Sequence, residues 1–238
     1  MKTRILLFIV LTIIFTGHLC IAQNRDLEPI GIGETMGDFT LTTYQGDEVS
    51  LSDYKGKKNV LLVFPRGKVL DELWCPLCYY QYAELAEWDE RVNASKRFNL
   101  EILFVLPHAK DSIDLWRKAA NQGLQTIENW KNPAGYDTLT GPAKNWADYV
   151  REFYPSTYNY PNGEIDVPIT ILMDEDKKLS KGLLLYTKEW GGTKTWQNMP
   201  TVFLLDKNGV VQFKYHSQYT NDRPTAEYIQ RMLRAALK

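Results

Sequence analysis

"ELWCPLCYYQYAELAEW" (Glu72–Trp88) sets two cysteines two residues apart at the head of an amphipathic segment, and its reading decides the fold. Leu77, Tyr80, Leu85, Trp88 and Val92 recur at helical spacing, which predicts a helix that begins near Cys75 and runs about five turns. Upstream, "NVLLVF" (Asn59–Phe64) is a short unbroken apolar run between Lys-rich and Pro-Arg-Gly segments, the pattern of a strand buried on both faces. Downstream, "LEILFVL" (Leu100–Leu106) repeats that pattern. Strand, helix, strand is a βαβ unit, and its crossover is expected to be right-handed.

Working outward, the segment from Gly31 to Lys58 alternates apolar and polar residues around Tyr44-Gln45-Gly46-Asp47, as a small hairpin does. Asp111–Gln122 reads as a second helix. From about Thr126 to Val167 the periodicity weakens and aromatic residues crowd in, with helical character around Ala143–Phe153. Disordered stretches are poor in aromatics, so this segment is expected to be an ordered insertion outside the redox core. Regular patterning resumes with a strand at "PITILM" (Pro168–Met173), a short helix at Asp176–Leu185 and two strands in "TVFLLDKNGVVQFKYH", joined through Asn208-Gly209, a strong hairpin signal. A last helix is expected to start at Pro224 and to bury Ile229, Met232, Leu233, Ala236 and Leu237. This order predicts an α/β protein with a thioredoxin-like fold: one domain over 31–238, a central mixed sheet flanked by helices, and an aromatic-rich insertion at about 126–167.

The first 22 residues read as a secretory signal. Lys2 and Arg4 give a positive start, Ile5–Phe15 is apolar apart from one Thr, and Cys20-Ile21-Ala22 places small residues where a peptidase cuts. The apolar run is short of the roughly 20 residues a spanning helix needs, although an uncleaved anchor is the alternative. Cleavage near Ala22 predicts an exported protein, periplasmic or otherwise extracytoplasmic, with no membrane segment in its mature form. The formal charge of −1 excludes the basic footprint of a nucleic-acid or anionic-membrane binder.

Cys20 leaves with the leader, so Cys75 and Cys78 remain as the two mature cysteines, in a compartment where disulfides persist. A thiol attacks only as thiolate, and a helix N-terminus favours that charge through its dipole and free N–H groups. Cys75 stands at this end as nucleophile. Cys78, one turn on, is placed to resolve a mixed disulfide or a sulfenic acid, closing a Cys75–Cys78 disulfide. Pro76 suits the first helical turn. A structural zinc site needs four ligands, and His108 and His216, each at a strand end, do not pair in spacing with the cysteines. Both read as surface or capping residues. No metal and no cofactor is implied.

The residues resemble the alkyl hydroperoxide reductase/thiol-specific antioxidant group, the redoxin or peroxiredoxin-like branch of thioredoxin-like proteins. The likeness rests on "GDFTLTTYQGDEVSLSDYKGKKNVLLVFPRG", "WCPLCYYQYAEL" and "MPTVFLLDKNGVVQFKYHSQYTNDRP". It implies a cis-proline at Pro200 facing the cysteines, and a docking surface for substrate shaped by Trp74, Pro76 and Pro200. The chain departs from the group twice. Lys68 and Glu72 stand where a Pro and a Thr or Ser are expected, and Asn198-Met199 stands where an Arg is expected. Arg66 is the remaining nearby cation for the Cys75 thiolate, with Asp71 and Glu72 expected to oppose it if they face the sulfur.

Three functions follow from the sequence. The first is an exported thiol–disulfide oxidoreductase acting on a thiol or disulfide protein partner. The second is a thiol peroxidase with Cys75 peroxidatic and Cys78 resolving, its electron donor unknown. The third, weakest, is a copper-delivery protein using His216 as a distant ligand.

Overall fold

The unbroken apolar runs of the central strands point alternate residues to opposite faces, and two hydrophobic layers form against one sheet. The computed structural model describes residues 29–237. In chain order its strands are β1 (Thr40–Thr43), β2 (Glu48–Ser50), β3 (Asn59–Phe64), β4 (Lys68–Leu70), β5 (Leu73–Trp74), β6 (Leu100–Leu106), β7 (Thr170–Met173), β8 (Tyr186–Thr187), β9 (Gln197–Asn198), β10 (Thr201–Leu205) and β11 (Val211–His216). Its helices are α1 (Pro76–Val92), α2 (Ala94–Arg97), α3 (Lys110–Lys118), α4 (Ala120–Lys131), α5 (Gly141–Phe153), α6 (Lys178–Gly182) and α7 (Ala226–Ala236).

The seven-stranded sheet runs β11-β10-β3-β6-β7-β1-β2. The β3–β6 and β6–β7 pairs are parallel and the others antiparallel, which is the mixed sheet expected from the sequence. Leu61 and Val63 of β3 join Ile102, Phe104 and Leu106 of β6 in the larger layer, under α1. Val60, Leu62 and Phe64 point the other way, into a smaller layer with Met36, Leu51 and Leu185. Period-2 alternation on a strand buried on both faces produces this division.

The centre of the larger layer is Trp116 on α3, stacked on Tyr79 at 5.2 Å and met edge-on by Tyr82 at 5.6 Å. The single helix expected over 111–122 is two: the chain turns at Ala119 and continues as α4, which lies along α1. Gly123 lets the Tyr79 ring settle on α4, since a Cβ there would stand 2.1 Å from Tyr79 Cδ2.

Residues 126–167 hold the end of α4, a 3-10 turn at Tyr136–Thr138 and α5, and supply no strand to the sheet. They are not a detached appendage, because Val150, Tyr154 and Ile165 are buried in the α1 layer. The last helix is corrected at its start: Thr225 is the N-cap, its side chain accepting from the Tyr228 N–H at 3.2 Å, and Pro224 lies outside the helix. A hydroxyl cap satisfies a free N–H that Pro at this point does not. The proposed leader lies outside the described residues.

Gly123→Ala separates two opposed effects. Alanine favours a helix interior over glycine by about 1 kcal/mol, whereas forcing a methyl into a filled core costs about 1–3 kcal/mol. With the Tyr79 ring 2.1 Å from the new Cβ, the variant is expected to unfold at lower denaturant concentration than the parent, and a raised midpoint in urea would show that α4 does not press on Tyr79.

Candidate active site

Three chain segments meet at one end of the sheet: the exit of β3, the entry of β10 and the exit of β11, since Thr201 pairs with both Phe64 and His216. Each carries a group that the cysteines need. Segment 65–75 ends in Cys75, segment 190–200 wraps Arg66, and segment 217–223 ends in Arg223.

Cys75 is the N-cap of α1, with extended backbone (φ −69°, ψ 115°), and Pro76 opens the helix as the sequence leads one to expect. The Cys75 N–H donates to the Gly67 carbonyl at 2.9 Å, and the Cys78 N–H to the Cys75 carbonyl at 3.1 Å. Both cysteines are free thiols and buried, Cys75 to 3% exposure and Cys78 completely. They are not equivalent. Cys75 is brought down to about 6, first by the hydrogen bond from the Cys78 side chain, then by the charges of Arg223 and Arg66, against the opposing effect of burial. Cys78 is pushed up by burial and by its bond to Cys75. The surroundings thus favour the thiolate at Cys75 and disfavour it at Cys78.

Arg66 is buried, and two of its three guanidinium nitrogens are bonded within segment 190–197. Its Nε donates to Gln197 Oε1 at 2.5 Å and its Nη2 to Thr193 Oγ1 at 2.8 Å and the Trp190 carbonyl at 3.3 Å, with the Trp190 ring 5.1 Å from the guanidinium carbon. Gly191 makes this wrap possible. It has φ +60°, and a Cβ there would stand 2.4 Å from Thr220 Cγ2 and 3.2 Å from Arg66 Nη2.

Arg223 is the residue that sequence reasoning missed. Its side chain is 3% exposed. Nη1 donates to Ser217 Oγ at 3.1 Å and the Tyr219 carbonyl at 3.4 Å, while Nε and Nη2 have no hydrogen-bond partner among the described residues. Its charge acts on both sulfurs. In the sequence it stands in "TNDRP", a polar turn that reads as solvated. The one lead was topological: a hairpin partner of β10 must leave the sheet at the Cys75 end.

The other expected site residues fall as follows. Trp74 is buried rather than on a docking face, edge-on to the His108 ring at 4.9 Å with Lys68 Nζ 5.3 Å from its own ring. Asp71 and Glu72 are exposed and do not figure among the groups acting on Cys75. Pro200 stands at this end of the sheet, its carbonyl accepting from the Ser217 N–H at 2.9 Å. Its peptide bond is trans, correcting the cis bond that the resemblance implies, as no described peptide bond is cis. Trans is the lower-energy X–Pro form, and here the flanking Met199 N–H is already satisfied by the Leu185 carbonyl at 2.8 Å. His108 is half-buried beside Trp74, not a surface residue. Burial and the charges of Lys68 and Lys177 lower it to about 4, so it stays neutral. His216 Nδ1 shares a hydrogen bond with Thr201 Oγ1 at 2.8 Å. Among the described residues no three His, Cys, Asp or Glu side chains come together as a metal site, and a copper site of Cys75, Cys78 and His216 is not assembled.

The AhpC/TSA family model matches residues 32–214. The reduced 2-Cys peroxiredoxin of Plasmodium vivax is similar in structure, with a TM-score of 0.50 and 22% identity over 87% of this chain and 82% of that one. Thioredoxin peroxidase I of Plasmodium yoelii gives a TM-score of 0.49 and 19% identity over 87% and 88% of the two chains. No curated protein sequence matches. The likeness to the P. vivax protein concerns the fold, which is thioredoxin-like.

Titration of the Cys75 thiolate by its ultraviolet absorbance, taken as the difference between the parent and Cys75→Ser, is expected to give a midpoint near pH 6, where the charges and the Cys78 bond place it. Arg223→Gln should raise that midpoint by roughly 1–3 pH units, the usual influence of a neighbouring opposite charge. An unperturbed midpoint of about 8.5 in the parent would refute the charge assignment.

Proposed function

The chain belongs to the AhpC/TSA family of thiol-dependent oxidoreductases, and we propose that within it the protein is a peroxiredoxin-like thiol peroxidase in which Cys75 attacks the peroxide and Cys78 resolves. The observation that carries this reading is Arg223: a buried guanidinium beside the Cys75 thiolate with two donors, Nε and Nη2, not engaged by the described residues. The sequence alone suggested that peroxide-binding donors were missing, because Glu72 and Met199 occupy their usual places. Arg223 supplies them from the far end of β11. Burial supports the same ranking. At 3% exposure the Cys75 sulfur suits a small oxidant better than a folded protein's disulfide.

The chemistry balances as follows. Cys75 S⁻ attacks the terminal oxygen of ROOH; the S–O bond forms as the O–O bond breaks, sulfur is oxidised by two electrons, and the alkoxide takes a proton from solvent. Arg223 donors facing the peroxide stabilise the charge that grows on the departing oxygen. The Cys78 sulfur then displaces hydroxide from the Cys75 sulfenic acid, closing the Cys75–Cys78 disulfide with release of water. A dithiol partner reduces the disulfide by exchange, becoming oxidised itself.

Thiol–disulfide exchange as the main activity remains the second reading, favoured by one observation. The two cysteines stand within the first turn of α1, the Cys78 N–H bonded to the Cys75 carbonyl at 3.1 Å, so the resolving thiol is at hand. The basic start and apolar run of residues 1–22 support export for either reading, with dithiol partners outside the cytoplasm.

Reoxidation of the reduced protein by hydrogen peroxide and by a small disulfide, followed in parallel, decides between them. The expected result is faster reaction with peroxide, lost in Cys75→Ser. Cys78→Ser should stop at a sulfenic acid. Arg223→Gln should slow the peroxide reaction by about 10²–10³-fold, the usual loss for one preorganised donor, and the disulfide reaction much less. Faster reaction with the disulfide, insensitive to Arg223→Gln, would make exchange the main activity.

A further inference from the structure

The aromatic insertion meets the Arg223 segment at one backbone carbonyl. Tyr149, on α5, and Tyr154, just beyond it, both donate their hydroxyls to the Asn221 carbonyl, at 2.8 Å and 2.5 Å. A carbonyl oxygen has two lone pairs, so these two bonds use its full capacity. Asn221 is two residues from Arg223.

The segment carrying Arg223 runs from β11 to α7, whose Ala226 and Ile229 are buried in the α1 layer. At its start the Ser217 N–H is bonded to the Pro200 carbonyl at 2.9 Å. Inside it, the Gln218 N–H donates to Asp222 Oδ2 at 2.7 Å, and Arg223 Nη1 bonds back to Ser217 and Tyr219. These internal bonds shape the loop. The tyrosine pair adds a tie to the insertion within two residues of Arg223, between the anchored ends of the segment. Tyr154 is buried in the α1 layer, its ring 5.1 Å from Tyr80, and Tyr149 stacks on Trp146 at 5.6 Å, which meets Trp130 of α4 at 5.5 Å. The hydroxyls therefore project from a rigid aromatic block.

We propose that Tyr149 and Tyr154 are positioning residues for Arg223: bonded together to the Asn221 carbonyl, they hold the segment that aims the Arg223 guanidinium at Cys75. The insertion, which has no counterpart in the resemblance drawn from the sequence, thereby becomes part of the active-site machinery. A guanidinium held loosely spreads its charge over several positions and stabilises a neighbouring thiolate less than one held still. The inference rests on the role given to Arg223 above, but it does not require that peroxide be the substrate.

The experiment reads the Cys75 thiolate midpoint by ultraviolet titration in Tyr149→Phe/Tyr154→Phe, which removes both donors and keeps both rings. The groups that set that midpoint are Cys78, Arg66 and Arg223, none of them altered by the substitution; the Tyr154 hydroxyl also faces Cys75, and the Arg223→Gln background separates its direct effect. An upward shift of roughly 0.5–1 pH unit is expected, a fraction of the effect of removing a neighbouring charge. Tyr136→Phe, which loses an insertion hydroxyl bonded to Asp148 instead, should leave the midpoint unchanged. In an Arg223→Gln background the double tyrosine change should add nothing. A parent-like midpoint in the tyrosine variant, with Arg223→Gln still shifted, would overturn the positioning role and leave that of Arg223 intact. An undiminished shift in the Arg223→Gln background would also overturn it, showing that the tyrosines act on Cys75 by another route. If Arg223→Gln itself shifted nothing, the role of Arg223 would fall together with the inference. Slow turnover of peroxide with the expected shifts would count against the peroxidase reading alone.

Discussion

A thiolate held at 3% exposure is the constraint from which the rest of this end of the molecule follows. An isolated buried anion is too costly to persist, and in its absence the group takes up a proton. Here the charge is met by a thiol that donates and by two guanidinium groups. Those cations are buried in turn and need acceptors of their own. Segment 190–198 folds so that Gln197, Thr193 and the Trp190 carbonyl surround Arg66, and segment 217–223 folds so that Ser217 and the Tyr219 carbonyl receive Arg223. Charge begins on one sulfur and dictates the shape of two loops.

The sheet makes the arrangement possible. Parallel β3 and β6 send their C-terminal ends to the same edge, and antiparallel β10 and β11 bring a strand entry and a strand exit there as well. Open α/β sheets place their chemistry outside the carboxyl ends of the parallel strands for this reason. The cations come from opposite ends of the chain, 157 positions apart, as Arg66 and Arg223 show. Neither lies in the helix whose cysteine they serve.

The parts legible in the sequence are those governed by local periodicity. The buried strands β3 and β6, the hairpin at Asn208-Gly209 and the start of α1 at the cysteines announce themselves within a few residues. What was not legible depends on contacts between distant segments. Arg223 looks like a turn residue because nothing in its neighbourhood reveals the cysteines of α1 on which its charge acts. Trp74 looks like a docking aromatic because nothing in its neighbourhood reveals that His108, across the sheet end, receives it. Gly123, a poor helix residue by propensity, stands inside α4 for the space it leaves to Tyr79. Tertiary packing overrode local preference at each of these positions.

The asymmetry between the cysteines also bears on the return half of the proposed cycle. Two cations and a hydrogen-bonding thiol stabilise Cys75 as thiolate, a species present only in the reduced protein. Closing the Cys75–Cys78 disulfide removes the anion but leaves Arg66 and Arg223 buried beside neutral sulfur. Whatever stabilises the thiolate therefore favours the dithiol form over the disulfide, and a disulfide whose reduced form is so stabilised is a stronger oxidant. Regeneration by an external dithiol is thus assisted by the same charges that activate the attack, and Cys75, being the more acidic thiol, is also the better leaving group when its disulfide is opened at Cys78. Burial works against this direction. The incoming dithiol must reach a sulfur of the completely buried Cys78 or of the nearly buried Cys75.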